Sequence, residues 1–190
     1  MINAKVIAVS KSKVHGFSKA VEESITLIED YGVEGDAHAG KKIQHVFLAK
    51  EDPERKNIRQ VHLIASELFS DLSSGLSSNK GDNGFSISAG QLGENITTQG
   101  IDLLSLFTGT RLHIGKDAIV ELTALRHPCI QIEEFQKGLL KRVVHKDSDG
   151  KIVRKVGVMG IVLAGGVVNP NDDIIIEIPN EPHQKLEYIW

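Results

Sequence analysis

A single cysteine stands in this sequence at a position where its surroundings would make it reactive. Cys129 follows Arg126, His127 and Pro128, and it opens a segment, Cys129–Leu140, whose apolar residues recur at spacings of three and four. This pattern predicts a helix that begins at Cys129, because proline is well tolerated in a first helical turn. A thiol there would feel the positive end of the helix dipole and the charge of Arg126, and both favour the thiolate. The sequence therefore predicts a nucleophile or a metal-ligating sulfur, with a packed, inert cysteine as an equal alternative.

Asp36 and His38 lie two residues apart in a loop that begins and ends with glycine, Gly35–Gly40. Asp36 could orient His38 by accepting an N–H of its imidazole ring, which is the usual arrangement beside metals and in catalytic sites. His45 and His62 could then complete a metal site, although their spacings match no standard zinc pattern. The alternative, which the spacings favour slightly, is an Asx-type turn with a histidine at the surface.

Two glycines three residues apart, Gly90 and Gly93, precede Glu94 and Asn95 at the start of a predicted strand. Such glycines could expose backbone N–H groups to an anion such as a phosphate. The segment lacks the Lys-Ser/Thr pair of a P-loop and the helix of a dinucleotide fingerprint. Glu94 and Asn95 are alternatively polar groups at the rim of a barrel. We interpret Gly165–Gly166 first as a tight turn and second as a place where a ligand approaches the backbone.

Short apolar runs separated by turn residues dominate the chain, and glycine supplies 18 of its 190 residues. Roughly eight strands at short spacing predict a mainly β fold, a closed or nearly closed antiparallel β-barrel with a few short helices. The alternation of helix and strand that marks a parallel α/β sheet is not present. A further helix is predicted over Ala65–Leu72. The predicted strands are Lys5–Ser10, Ser24–Asp30, Arg59–Ile64, Asn95–Thr98, Arg111–Ile114, Ile119–Ala124, Gly157–Leu163 and Asp173–Ile178.

Length, charge and cysteine content exclude several classes of protein. We expect one domain over residues 1–179, with an exposed mobile loop at about 73–86. We expect the C-terminal tail, 180–190, either to pack on the barrel or to form a dimer contact. The net charge of −3 argues against a general nucleic-acid binder. No apolar run is long enough to cross a membrane, and the N-terminus carries no recognisable signal peptide. One cysteine excludes an internal disulfide, so a reducing, cytoplasmic setting is expected.

Taken together, the motifs resemble the MOSC domain, the C-terminal domain of molybdenum cofactor sulfurases, which also occurs as stand-alone bacterial proteins. The resemblance runs from about Lys5 to Ile178 and implies a mostly β, barrel-like fold. It implies that Cys129 carries the chemistry in one of two ways. The cysteine either carries a persulfide toward a metal–sulfur cofactor or ligates the molybdenum of a pterin cofactor in a protein that reduces N-hydroxylated substrates. The motifs are Gly35–Asp36–Ala37–His38, Arg59–Gln60–Val61, Gly93–Glu94–Asn95, Arg126–His127–Pro128–Cys129, and Gly165–Gly166 followed by Asp172.

The same resemblance implies roles for individual residues. Cys129 would be both a catalytic residue and the metal ligand, and Asp36 and His38 would be catalytic as orienting or proton-handling groups. Arg126 and Arg59 would meet the anionic phosphate or the dithiolene side of the cofactor, since arginine suits phosphate. The rest of the cofactor-binding set would be Gly93, Glu94 and Asn95.

The chain of 190 residues contains no candidate pyridoxal-phosphate half, no second cysteine and no iron–sulfur motif. The resemblance therefore implies a partner: a cysteine desulfurase that supplies sulfur, or an electron-donor protein. Pyridoxal phosphate, nucleic acid and membranes are not expected to bind, and the oligomeric state is left open. A third hypothesis is a nonenzymatic module whose pocket holds an anion or a protein partner. In that module Cys129 would be structural.

Overall fold

The computed structural model describes residues 4–44, 46–74 and 84–188 of the chain. Strands dominate it, and its four helices have between five and seven residues each. The helices are α1 (Val46–Glu51), α2 (Glu67–Ser73), α3 (Gln131–Phe135) and α4 (Leu139–Val143), with one 3₁₀ turn at Leu103–Ser105. The strands are β1 (Lys5–Lys11), β2 (Ala20–Glu22), β3 (Ile25–Ile28), β4 (Gly32–Val33), β5 (Val61–Ala65), β6 (Ile96–Gln99), β7 (Arg111–Ile114), β8 (Ala118–Leu125), β9 (Val144–Lys146), β10 (Ile152–Arg154), β11 (Val158–Ala164), β12 (Gly166–Val168) and β13 (Ile174–Glu177).

The largest sheet has eight strands in the order β13-β7-β8-β11-β5-β6-β1-β2. Its neighbours pair antiparallel except β5 and β6, which run parallel and are connected through α2. The remaining strands of the described residues form two smaller sheets, β12-β3-β4 and β10-β9. The prediction of a mainly β fold with a few short helices is confirmed. No sheet in the described residues is closed into a barrel, so the closed form of the predicted antiparallel barrel is wrong. The end strands of the order are β13 and β2, and the start of β13 meets the start of β1 through an isolated bridge between Lys5 and Asp173 and a hydrogen bond from Ile174 N to Ala4 O at 2.8 Å.

The small sheet β12-β3-β4 contributes to the same buried apolar core as the large sheet. β8 alternates buried and partly exposed residues along its whole length, as a half-buried strand does. Ile25 and Leu27 of β3 and Val168 of β12 join the same buried cluster as Leu63 and Val120 of the large sheet. The two sheets therefore pack face to face, which buries both apolar faces without a barrel.

The helix predicted over Cys129–Leu140 is in fact two short helices, α3 and α4. The predicted apolar face is real, since Ile132 and Leu139 are both fully buried. Gly138 interrupts the helix because it adopts a positive φ of 89°, and Gln136 before it is extended. Cys129 lies two residues before the first residue of α3, so it is not a helical residue. A five-residue helix supplies little dipole, so the predicted effect of a helix terminus on the Cys129 thiol is wrong.

The helix predicted over Ala65–Leu72 is confirmed as α2, shifted by one or two residues. Of the predicted mobile loop at 73–86, residues 75–83 lie outside the described residues. The C-terminal segment lies along the large sheet. Thr108 N donates to Gln184 O at 2.9 Å, Leu125 N donates to Glu187 O at 2.8 Å, and Leu186 is buried. None of the helices in the described ranges is long and apolar enough to cross a membrane.

Candidate functional site

A cavity of about 500 Å³ opens between the Gly35–Gly40 loop, the start of β6 and the segment that follows β8. It brings together six of the eight residues predicted for the site. Asp36 and Glu94 do not line it; they are buried behind its wall. The described lining residues are Gly16, Phe17, Lys19, His38, Ile43, Gln44, Asn57, Arg59, His62, Gly93, Asn95, Arg126, His127, Pro128, Cys129, Ile130, Gln131 and Met159.

The cavity wall is cationic. Lys19, Arg59 and Arg126 line it, and the described lining contains no Asp or Glu. Burial lowers the pKa of Arg59, and the nearby charges of Arg126 and Arg55 lower it further. Two guanidinium groups that repel each other at a partly desolvated wall are stabilised by an anion placed between or beside them.

Arg126 carries a polar atom that the protein leaves without a partner. Its Nη1 is buried and has no hydrogen-bond acceptor among the described residues, while its guanidinium carbon lies 6.0 Å from the centroid of the Phe17 ring. Burial lowers the pKa of Arg126, and the charges of Cys129 and Glu94 oppose that shift. Buried donors in native proteins almost always have an acceptor, so this atom indicates a water or a ligand acceptor at the site.

Cys129 is partly exposed and lies on the cavity wall. Its Sγ is 3.5 Å from Oε1 of Gln131, which accepts a weak hydrogen bond from the thiol. A negative charge on its sulfur would stabilise both Arg59 and Arg126. Arg59 and Arg126, rather than a helix terminus, are therefore the positive groups near this sulfur.

Asp36 forms a buried ion pair behind the cavity. Its Oδ2 accepts from Lys19 Nζ at 2.7 Å, Asn95 Nδ2 at 3.1 Å and Ser12 N at 3.2 Å. Its Oδ1 accepts from the backbone N–H of His38 at 2.9 Å and lies 3.4 Å from His38 Nδ1. Burial alone would raise the pKa of Asp36, but the His38 hydrogen bond and the Lys19 charge outweigh it and hold that pKa well below its usual value. Asp36 is therefore ionised at neutral pH.

Lys19 is the member of this site that sequence reasoning missed. Burial lowers the pKa of Lys19, and the charge and hydrogen bond of Asp36 oppose that shift. Nothing local marks the residue, because it precedes a three-residue edge strand and its partner is 17 positions further along the chain. Asn57 was also missed. Its side-chain Nδ2 donates to the carbonyl oxygens of His38 and Gly40 at 3.0 and 2.9 Å and so holds the loop in shape.

The Gly90–Gly93 turn does not offer its N–H groups to an anion. Gly90 N donates to Glu94 Oε1, and Gly93 N donates to the carbonyl oxygen of Gly90 at 3.1 Å. Both glycines have φ near +80°, and a Cβ on Gly93 would lie 2.6 Å from the carbonyl oxygen of Phe17. The phosphate-loop hypothesis is therefore wrong, and these glycines are required by backbone geometry.

Glu94 is fully buried. Its Oε1 also accepts from Thr97 Oγ1 at 3.1 Å, whereas Oε2 has no partner among the described residues. Burial raises the pKa of Glu94, and the hydrogen bonds to Oε1 only partly compensate. Glu94 thus supports the turn from behind, and it is not placed to touch a molecule in the cavity.

The described residues do not form the hypothesised metal site of Asp36, His38, His45 and His62. No group of three or more His, Cys, Asp or Glu side chains within the described ranges could hold a metal ion, and His45 lies outside those ranges. Nε2 of His62 is 2.8 Å from the carbonyl oxygen of Val156. Burial, and then the charge of Arg126, lower the pKa of His62 well below its usual value, so it is a neutral core histidine.

The late glycine pair and Asp172 lie outside the cavity. A Cβ on Gly165 would lie 2.8 Å from the carbonyl oxygen of Leu27, so this glycine permits close approach of two strands. Asp172 Oδ2 accepts the N–H of Asn169 at 2.8 Å and stabilises a turn. Both features serve the fold, and neither contributes to the site.

A model of the MOSC domain matches residues 36–175, a span that holds every described lining residue of the cavity except Gly16, Phe17 and Lys19. The chain belongs to the MOSC domain family. Its fold is similar to crystal structures of stand-alone proteins. The YuaD protein from Bacillus subtilis has a TM-score of 0.71 at 21% identity, over 94% of this chain and 98% of that chain.

Two further crystal structures share the fold. YiiM from Geobacillus stearothermophilus has a TM-score of 0.61 at 16% identity, over 96% of this chain and 80% of that chain. YiiM from Escherichia coli has a TM-score of 0.58 at 16% identity, over 97% and 74% of the two chains. No curated protein matches the chain. At these identities the structural similarity establishes the fold alone.

Proposed function

We propose that this protein binds a molybdopterin-type cofactor in the cavity, with the sulfur of Cys129 as the metal ligand. The single observation that carries the proposal is a partly exposed thiol near two arginines on a wall whose described residues include no carboxylate. MOSC domains are known for binding the molybdenum cofactor, and such a cofactor presents an anionic phosphate and a metal that accepts thiolate.

The residues present fit such a group. Arg126 has a buried Nη1 that lacks an acceptor, and a phosphate oxygen would supply one. Arg59 would share the anion and relieve the repulsion between the two guanidiniums. Lys19 is already neutralised by Asp36, so it would shape the wall and contribute little charge. Gly93 and Asn95 would complete the wall, with Glu94 supporting their turn.

When bound, a molybdenum–pterin cofactor supplies two-electron redox chemistry. Within this proposal the protein reduces N-hydroxylated substrates, and an electron-donor protein supplies the electrons. Cys129 is partly exposed and Ile130 beside it is 62% exposed, so a second molecule can approach the sulfur from solvent.

A persulfide sulfur carrier is the second candidate, and the exposure of Cys129 favours it. A persulfide on this sulfur would be an anion, and the nearby charges of Arg59 and Arg126 would stabilise it. A cysteine desulfurase would supply the sulfur. The diagnostic result is a mass increase of one sulfur atom on Cys129 after incubation with a desulfurase, in protein that contains no metal.

The experiment is metal and pterin analysis of protein expressed in a host that makes the cofactor. We expect stoichiometric molybdenum and pterin in the wild type, molybdenum lost in Cys129→Ser, and pterin reduced in Arg126→Gln. Arg111→Gln removes an exposed arginine that pairs with Glu121 far from the cavity lining, and it should load like the wild type.

Two results would overturn the proposal: wild-type protein free of molybdenum and pterin, or Cys129→Ser that loads both normally. Thermal melting of each variant separates loss of loading from loss of fold. Alkylation of the native thiol at the slow rate of a buried cysteine would favour the nonenzymatic binding module instead.

A further inference from the structure

One ring nitrogen of His38 lies beside a carboxylate, and the other has no hydrogen-bond partner among the described residues. Its ring lies on the cavity wall, and its side chain is 35% exposed. Nδ1 faces the carboxylate of Asp36 at 3.4 Å, while no residue in the described ranges forms a hydrogen bond with Nε2. The side chain of Asn57 binds the His38 carbonyl oxygen, so the backbone that carries the ring is also held.

Asp36 determines which nitrogen of His38 carries the hydrogen. The Asp36 carboxylate is ionised and ion-paired to Lys19, so it can only accept a hydrogen bond. A hydrogen on Nδ1 would face this acceptor at 3.4 Å, and the lone pair would then lie on Nε2.

The other titratable groups of the cavity lack this combination. Nε2 of His62 contacts the carbonyl oxygen of Val156, and the side chain is buried. Lys19 is held in its ion pair. His127 packs edge-on against the ring of Tyr188, at 6.1 Å between centroids, and burial lowers its pKa.

We propose that His38 is the proton-transfer residue of this cavity, and that Asp36 is its positioning residue. The inference rests on the proposed function. Reduction of an N–OH group cleaves the N–O bond, consumes two electrons and two protons, and releases water. An electron-donor protein that carries a reduced flavin or iron–sulfur group supplies the electrons. His38 supplies one proton from Nε2 to the departing hydroxyl oxygen and recovers it from solvent, and the second proton passes from solvent to the nitrogen.

The charged and titratable groups around His38 come from four segments of the chain. Asp36 and Lys19 lie on the Nδ1 side, and the ring of His15 packs edge-on at 5.0 Å between centroids. Arg59 and Arg126 line the same cavity.

The first experiment needs no cofactor. Long-range ¹H–¹⁵N NMR of metal-free protein labelled in histidine reports the tautomer of His38. We expect the hydrogen on Nδ1 in the wild type and a shift toward the Nε2–H tautomer in Asp36→Asn. An Nε2–H ring in the wild type, or an unchanged ratio in a folded Asp36→Asn, overturns the inference.

The second experiment uses cofactor-loaded protein, an amidoxime substrate and reduced methyl viologen. We expect His38→Gln to load molybdenum normally and to lose roughly 10²-fold or more in kcat with little change in KM. Added imidazole should partly restore His38→Ala, which a structural role would not allow. His145→Gln, an exposed histidine on β9, is the matched control.

If His38→Gln loads the cofactor and its kcat equals that of the wild type, the inference is overturned. Failure of the wild type to load overturns the proposed function instead, and the tautomer measurement then still decides whether Asp36 sets the ring as inferred. The two failures are therefore distinguishable.

Discussion

Replacing Lys19 by methionine removes the ammonium from the buried ion pair and keeps the apolar stem. The carboxylate of Asp36 is left with 2% of its side chain exposed and no cation in contact. Breaking a buried pair from one side costs about 3–5 kcal/mol. Asp36 keeps its hydrogen bonds from Ser12, His38 and Asn95, so we expect the lower end, about 3 kcal/mol.

Urea denaturation at neutral pH measures this loss directly, and Tm should fall by roughly 6–12 °C for a chain of this length. The matched control is Lys42→Met. Lys42 also forms a close ion pair, at 2.6 Å from Glu54 Oε1, but the two side chains are 54% and 78% exposed. Solvent screens that pair, so Lys42→Met should cost under about 1 kcal/mol.

Two further measurements test the electrostatic origin of the effect. The double variant Lys19→Met/Asp36→Asn buries no charge and should cost less than the sum of the two single variants. The pKa of Asp36 is depressed in the fold, so the stabilisation is complete above the ordinary aspartate pKa of about 3.9 and is lost as pH falls through the folded value. The gap between wild type and Lys19→Met should therefore narrow under acid.

The electrostatic explanation of this loss is refuted if Lys19→Met lowers the free energy of unfolding no more than Lys42→Met does. It is also refuted if the two single substitutions are additive, or if the gap is the same in acid as at neutral pH. Any of these results would show that the Lys19–Asp36 contact contributes packing alone.

Two further predictions concern glycines with positive φ beside the cavity and the buried carboxyl of Glu94. Gly93→Ala should lower the free energy of unfolding by roughly 2–3 kcal/mol, because it combines a φ of 82° with a Cβ 2.6 Å from a backbone oxygen. Gly35→Ala has a φ of 75° and nothing within 4 Å of the new Cβ, so it should lower the free energy of unfolding by roughly 1 kcal/mol. Equal losses for Gly93→Ala and Gly35→Ala in urea titrations would contradict the steric explanation. Burial raises the pKa of Glu94, so wild-type stability relative to Glu94→Gln should fall as pH rises from about 4.3 through the folded value. Thermal melts across that range check this, and a constant difference would show that Glu94 is not desolvated.

Several parts of the site were predictable from sequence because they depend on short stretches of chain. The Asp36–His38 spacing indicated either an Asx-type turn, slightly favoured, or a carboxylate that orients an imidazole. The structure has the turn, with His38 N donating to Asp36 Oδ1 at 2.9 Å, and it places Nδ1 of the ring 3.4 Å from the same oxygen. Arg126 and Cys129 are three residues apart, so their proximity was expected. The positive surroundings of the Cys129 thiol were attributed in part to a helix that begins at Cys129. The helix instead begins at Gln131. Apolar spacing does not reveal that Gly138 breaks the helix.

The sequence by itself determined the mainly β character, because alternating apolar residues and frequent glycines allow little else, and its ordered motifs were enough to indicate the family. Only the tertiary structure decided how the strands pair. It placed β6 parallel to β5 and packed a second sheet against the large one, and no sheet closes into a barrel in the described residues. It also brought Lys19 to Asp36. Pairing and burial depend on contacts between distant segments, and those contacts determine that Asp36 carries its charge and that a guanidinium nitrogen of Arg126 stands without an acceptor.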